Sequence, residues 1–365
     1  MSEGTETLVQ AVSARDGVTG SVRERLEPVR RALSEKPFVP HPLFTSGHAQ
    51  TLAAYAWPRR RKLRWQARDH ARLFEVEQGV QVLAHYRWQE RKQDSPTMLL
   101  LHGLEGSTES IYILGTADKA FRAGFNVVRL NLRTCGQTEH LTPTIYHSGL
   151  TGDIRFVIRE LVEADGFKEI YLVGFSMSGN MSLRLAGEEA ASLPDELKGI
   201  SAISPSVDLF AAADTIERRS NWIYQKSFMR SLHSRMRRKK KLFPELYDIR
   251  DLRRVRTIRD FDERFTAQHG GFKNADDYYA RTSSLPLLRS IDKPTLIIHA
   301  EDDPFIPFEP LRRAAIEDNP HIIFLAPKSG GHVGFVAADT LAEDRFWAEN
   351  RIVEFCRLLH EQIQS

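Results

Sequence analysis

Three short segments carry the residue types of a nucleophile, an acid and a base, in that chain order. They are Gly174-Phe175-Ser176-Met177-Ser178-Gly179, Ala300-Glu301-Asp302-Asp303-Pro304 and Gly330-Gly331-His332. Each follows a short apolar run of the kind that forms a buried strand. An apolar strand that ends in Gly-x-Ser and runs into a helix makes a tight turn, the nucleophile elbow, which holds its serine exposed above a sheet edge. Acyl transfer through Ser176 is the chemistry this pattern points to. A small residue is required at Gly174, because the strained turn brings neighbouring backbone very close. The usual elbow has glycine two residues after the serine, whereas here Ser178 stands there and Gly179 follows. The alternative is that Ser176 only caps a helix after a strand.

The acid is expected after a later strand, four residues before a proline. Counting back from Pro307 gives Asp303, with the adjacent Asp302 as its rival. A carboxylate there accepts the imidazole N–H, sets the tautomer and stabilises the imidazolium. His332 is the expected base, and the glycines before it let its loop bend toward Ser176. His299 lies inside an apolar run and reads as a core residue. Two backbone N–H groups should form an oxyanion hole. One belongs to Met177, directly after the nucleophile. The other is expected from Leu104 in His102-Gly103-Leu104-Glu105-Gly106, where Gly103 relieves crowding. Such donors act on charge that develops in the transition state and contribute about 3–4 kcal/mol each.

The elements that must position these groups follow from the apolar pattern. Phe74–Glu77 and Val80–Tyr86 alternate around Gln78-Gly79 and predict an antiparallel hairpin. Near-continuous apolar runs at Met98–Leu101, Val127–Leu130, Ile170–Val173, Ile200–Ile203, Thr295–Ile298 and Ile322–Leu325 suit strands covered on both faces. Helix-length segments lie between several of them, at Ser110–Arg122, Gly152–Glu163, Met177–Glu189 and Phe308–Glu317, and Leu341–Gln364 reads as a closing helix. The alternation predicts an α/β fold with a mostly parallel, doubly wound sheet. Residues 206–290 break the rhythm with no strand-like run and are expected to form an inserted helical cap. The predicted organisation is an N-terminal polar arm over 1–36, a first core part over 37–205, the cap, and a second core part over 291–365. Within the arm, Val22, Leu26, Val29 and Leu33 share one helical face.

Composition narrows the class. The 365 residues are 41% apolar and 27% charged, and the formal net charge of +3 calls for no nucleic-acid partner. Cys135 and Cys356 are the only cysteines, which builds no disulfide framework and suits a reducing compartment. Met1–Gln10 is polar and reads as no secretory signal, and no window nears the roughly 18 apolar residues of a membrane span. A cytoplasmic protein is expected. The run Arg235–Lys241 could touch anionic lipid, but reads first as a solvated helix face. His360-Glu361 lacks the second histidine of a zinc-protease helix. Cys135 has no partner that would make it a nucleophile, and Trp222, Tyr224 and Phe228 could line an acyl pocket.

The chain resembles the YheT-like branch of the α/β-hydrolase superfamily over about residues 37 to 360. The resemblance rests on Pro42-Leu43-Phe44-Thr45-Ser46-Gly47-His48-Ala49-Gln50-Thr51-Leu52, on His102–Ser107 and on Tyr146-His147-Ser148-Gly149. Further matches are Gly174-Phe175-Ser176 with Asn180, Gly270-Gly271-Phe272 with Asp277-Tyr278-Tyr279, Asp302-Asp303-Pro304-Phe305, and Gly331-His332-Val333-Gly334-Phe335. It departs from the branch at Ser178 and at Arg133-Thr134-Cys135-Gly136. The resemblance implies an α/β-hydrolase fold and a serine hydrolase acting on carboxylic esters, with a small-molecule or lipid-like ester as substrate and no cofactor. Rival readings are an acyltransferase on the same fold and a hydrolase-fold binding protein without turnover.

Overall fold

The computed structural model describes residues 21–59, 69–314, 316–339 and 342–365. Residues 1–20 of the expected arm and Leu341 of the expected closing helix lie outside the described residues. Among the described residues, eight strands form one sheet: β1 (His70–Glu77), β2 (Val80–Arg87), β3 (Thr97–Leu101), β4 (Asn126–Leu130), β5 (Ile170–Phe175), β6 (Leu197–Ile203), β7 (Thr295–Ile298) and β8 (Ile322–Leu325). Their order is β1-β2-β4-β3-β5-β6-β7-β8. β1 and β2 are the hairpin expected around Gln78-Gly79, and β2 also runs antiparallel to β4. Every later pairing is parallel. β3, β4, β5 and β7 are buried at every residue, which is why their sequences read as near-continuous apolar runs, with Arg129 the charged exception in β4.

Alternate side chains of these strands feed two cores. On one face, Leu99, Leu101, Leu172 and Ile200 pack under α4 (Thr151–Glu163) and α5 (Met177–Glu188). On the other, Met98, Leu100, Tyr171 and Val173 pack under α1 (Val22–Ser34), α3 (Ile111–Arg122) and α9 (Trp347–Gln364). Helices on both faces of a parallel sheet are the doubly wound arrangement. α1 starts at a capping box between Ser21 and Glu24 and buries Leu26, Val29 and Leu33, so the described part of the arm is docked on the body.

Residues 206–290, between β6 and β7, contain α6 (Leu209–Ile216), α7 (Trp222–Leu242), α8 (Ala275–Thr282) and shorter helical turns, with no strand. Met229, Leu232, Met236, Phe261 and Phe265 gather there with Tyr247 and Leu252 in a small core of their own.

Three local expectations are corrected. Phe308–Glu317 is not one helix: it divides into Glu309–Arg313 and a 3-10 turn, Ile316–Asp318. α9 begins only at Trp347, because the preceding backbone is committed to a bridge between Val336 and Phe346, with the Ala337 N–H donating to the Arg345 carbonyl at 2.7 Å. The run Arg235–Lys241 is not a solvated face as a unit. Arg235 and Lys239, one helical turn apart, are both buried, while Arg237 and Lys241 are exposed. The Lys239 ammonium donates to the carbonyls of Glu139 and Thr142 and sits over the Phe243 ring. Helical periodicity divides the run between core and solvent.

Candidate active site

The elbow forms where β5 runs into α5. Ser176 takes φ 55° and ψ −116°, a conformation that a residue with a Cβ adopts only under constraint. The constraint is visible at Gly174, where an added Cβ would stand 2.2 Å from the Ser178 carbonyl oxygen. The departure at Ser178 also has a structural account. Its hydroxyl donates to the His102 carbonyl and ties the start of α5 to the loop after β3. The elbow therefore closes with serine at this position.

His332 reaches Ser176 from the loop after β8. Its Nε2 lies 2.9 Å from Ser176 Oγ, and its Nδ1 lies 2.8 Å from Asp303 Oδ2. With the proton on Nδ1, donated to Asp303, Nε2 is left to accept from the serine hydroxyl. The other Asp303 oxygen accepts from the N–H groups of Phe305 and Ile306, at 2.8 and 3.0 Å. Burial pushes the Asp303 carboxyl up, but the facing His332 imidazole, with His299 and the Ile306 N–H, outweighs it and holds the group below the usual carboxylate range. Asp302 does something else. Its Oδ1 accepts from the Gly331 N–H at 2.9 Å, and burial raises its pKa. Of the two neighbouring acids, Asp303 touches the imidazole and Asp302 holds the backbone that carries it.

The loop after β3 lies beside Ser176. Gly103 is closely hemmed in, since a Cβ there would stand 3.0 Å from Ser176 Cβ. The Gly103 N–H donates to Tyr112 Oη and the Glu105 N–H to Tyr146 Oη. Between them, the Leu104 N–H donates to no acceptor among the described residues, and neither does that of Met177 at the first position of α5. Both residues line the same cavity as Ser176 and His332. His102 steadies this loop. Its Nε2 accepts from the Leu132 N–H at 3.1 Å and its Nδ1 meets the Gly103 carbonyl at 2.8 Å. Burial lowers the His102 pKa to about 4, so the ring is neutral and Nδ1 carries the proton.

The segment Pro42–Leu52 braces the loop of His332. Gln50 is fully buried in α2 (Gly47–Ala56); its amide donates to the Val336 carbonyl at 3.0 Å and accepts from the Val336 N–H at 2.6 Å. Thr51 Oγ1 accepts from the His332 N–H at 2.9 Å. Sequence reasoning singled out this segment without finding its contacts, because they span nearly the whole chain.

The cavity and its open mouth together span about 860 Å³. Ile216, Phe228, Phe261, Phe305 and Ile306 make most of its wall apolar, and Tyr146, Arg235, Asp262 and Tyr279 add polar groups. Of the aromatics expected at a pocket, Phe228 lines it. Tyr224 instead packs on Phe305 and stacks on His48, and Trp222 is exposed. Arg235 and Asp262 were missed, since nothing in a charged run marks which member turns inward. His299 is a core residue, fully buried, with Nε2 3.1 Å from the Ile306 carbonyl. Burial pushes the Cys135 thiol up, which leaves little thiolate for nucleophilic chemistry.

Comparison with known proteins fits this geometry. A family profile described as alpha/beta hydrolase fold matches residues 96–338. YheT of Escherichia coli (strain K12) is 32% identical over 329 residues, which covers 88% of this chain and 93% of that one. Phospholipase ABHD3 of Mus musculus is 30% identical over 66% of this chain and 58% of its own length. Among solved structures, Est1E from Butyrivibrio proteoclasticus with ferulic acid bound superposes with a TM-score of 0.51 at 14% identity, covering 80% of this chain and 100% of that one. That likeness speaks for the fold. Sheet order, elbow, profile match and the relationship to YheT agree: the chain belongs to the α/β-hydrolase family, in its YheT-like branch.

Proposed function

We propose that the protein is a serine hydrolase of carboxylic esters, with Ser176, His332 and Asp303 as its triad. The observation that carries this reading is the continuous relay from Ser176 Oγ through the His332 ring to a buried Asp303 carboxylate. Ser176 Oγ attacks the ester carbonyl while His332 Nε2 takes its proton. Asp303 holds the ring and stabilises the imidazolium. The tetrahedral oxyanion is received by the N–H groups of Leu104 and Met177, which have no other acceptor among the described residues. His332 then returns the proton to the departing alcohol. Water repeats the sequence on the acyl-enzyme and frees the acid.

Residues 206–290 act as a cap in this reading, since Phe228, Ile258 and Phe261 of that segment share the cavity wall with Ser176. An apolar wall suits an acyl chain, and the phospholipase name of the mouse relative favours a lipid-like ester. Hydrolysis of p-nitrophenyl esters from acetate to palmitate tests the reading. The expected result is turnover that Ser176→Ala lowers by about 10⁵-fold or more, the order seen when a triad nucleophile is removed. Absence of turnover together with absence of fluorophosphonate labelling would overturn it.

A further inference from the structure

One polar group in the cavity wall has no part in the triad chemistry. Asp262 is buried, yet it lines the same cavity as Ser176 and His332. It accepts from Thr266 Oγ1 at 2.7 Å and from Tyr279 Oη at 2.8 Å. Among the described residues no cation pairs with it. Arg259 acts on it only from a distance and gives its guanidinium to Asp214 and Asp276. A buried carboxylate without a paired cation is costly, and an asparagine would have avoided the cost. Burial accordingly pushes the Asp262 carboxyl up to about 6.

The local backbone is also unusual. Asp262–Thr266 is π-helical, a form that occurs frequently at functional sites. Both ends of this turn, Asp262 and Thr266, reach the cavity wall. An ionised carboxylate offers about four lone-pair directions, and the protein engages two of them. The group is held by two donors with acceptor capacity to spare, in a wall that is otherwise mostly apolar.

We propose that Asp262, braced by Thr266 and Tyr279, is a substrate-binding residue that accepts a hydrogen bond from a free hydroxyl of the ester. The proposal rests on the ester-hydrolase reading of Ser176 and narrows its substrate class to hydroxyl-bearing esters. A neutral hydroxyl fits better than an ammonium group, because a cation would have to shed its hydration against a wall that is mostly apolar. The hydroxyl can sit on the alcohol side, as in a monoacylglycerol, or at the far end of the acyl chain.

Two substrate pairs separate these sources: 1-monodecanoylglycerol against ethyl decanoate, and ethyl 10-hydroxydecanoate against ethyl decanoate. The quantity read is the ratio of kcat/KM within each pair, for wild type and for Asp262→Ala, which removes the acceptor. Each ratio comes from one preparation, so a partly unfolded variant cancels out. The expected result is a fall of about tenfold or more in one of the two ratios, the size of a lost hydrogen bond to a charged group. The pair that responds identifies the side that carries the hydroxyl. Both ratios unchanged within about twofold would overturn the proposal while leaving the hydrolase reading intact. Failure of the wild type to hydrolyse any of the three esters, or equal hydrolysis by Ser176→Ala, would overturn the reading and the proposal together.

Discussion

At the scale of single residues, two adjacent acids have been given different work by their surroundings. Asp303 meets the imidazole and two backbone donors, whereas Asp302 meets the Gly331 N–H. Asp303→Asn should lower kcat by about 10³–10⁴, because an amide cannot hold His332 in the required tautomer. Asp302→Asn keeps an acceptor for Gly331 and should cost less than about tenfold. Steady-state kinetics on a p-nitrophenyl ester checks both, and equal losses would contradict the assignment. Asp262 has a consequence for stability as well. Its folded pKa is raised, so its contribution to stability is fully present below the unfolded value near 3.8 and is lost as pH rises through about 6. Carrying a carboxyl from 3.8 to about 6 corresponds to about 3 kcal/mol. The melting temperature of Asp262→Asn, relative to wild type, should therefore rise between pH 4 and pH 7. A constant difference across that range would show that Asp262 does not carry this burden.

At the scale of elements, the site depends on contacts between segments far apart in the chain. α2 lies near the start of the body, yet Gln50 and Thr51 hold the loop that carries His332. Gln50→Ala would leave the Val336 N–H unpaired in a dry setting, though its carbonyl keeps the His41 N–H, and would open a small void. A loss of about 2–4 kcal/mol is expected, read from denaturant unfolding. A loss under about 0.5 kcal/mol would mean that the loop holds its own shape. α7 shows the same dependence from another side. Its buried Arg235 pairs with Glu105 and donates to Tyr146 Oη at 3.1 Å, so it touches the residue directly after Leu104. The helix that lines the cavity and the loop beside Ser176 are joined by charge.

At the scale of the whole molecule, the sheet divides the core in two and α1 closes one half. Leu26, Val29 and Leu33 are each about 3% exposed or less. Full burial of such side chains contributes about 1.5–3 kcal/mol each. Removing residues 1–35 should lower the melting temperature by several degrees, measured by differential scanning fluorimetry. An unchanged value would mean that the arm contributes nothing to the body.

Much of this was legible because the signals are local. A parallel strand covered on both faces is mostly apolar along its length, so β3, β5 and β7, and β4 despite Arg129, announce themselves. The elbow needs a small residue at position 174 for steric reasons that act within a few residues, so Gly174 and Ser176 stand out in the sequence. Chain order after buried strands picked out His332 and the pair Asp302-Asp303 from many histidines and acids. Other features belong to pairs of residues that only folding brings together. Which of the two acids meets His332 depends on where the loop after β8 lands. Which cations of Arg235–Lys241 turn inward depends on the surface against which α7 packs. The meaning of Pro42–Leu52 depends on a contact with Val336 across 286 positions. Asp262 is one acid among many in the sequence, and burial without a cation, which is a property of its surroundings, is what sets it apart.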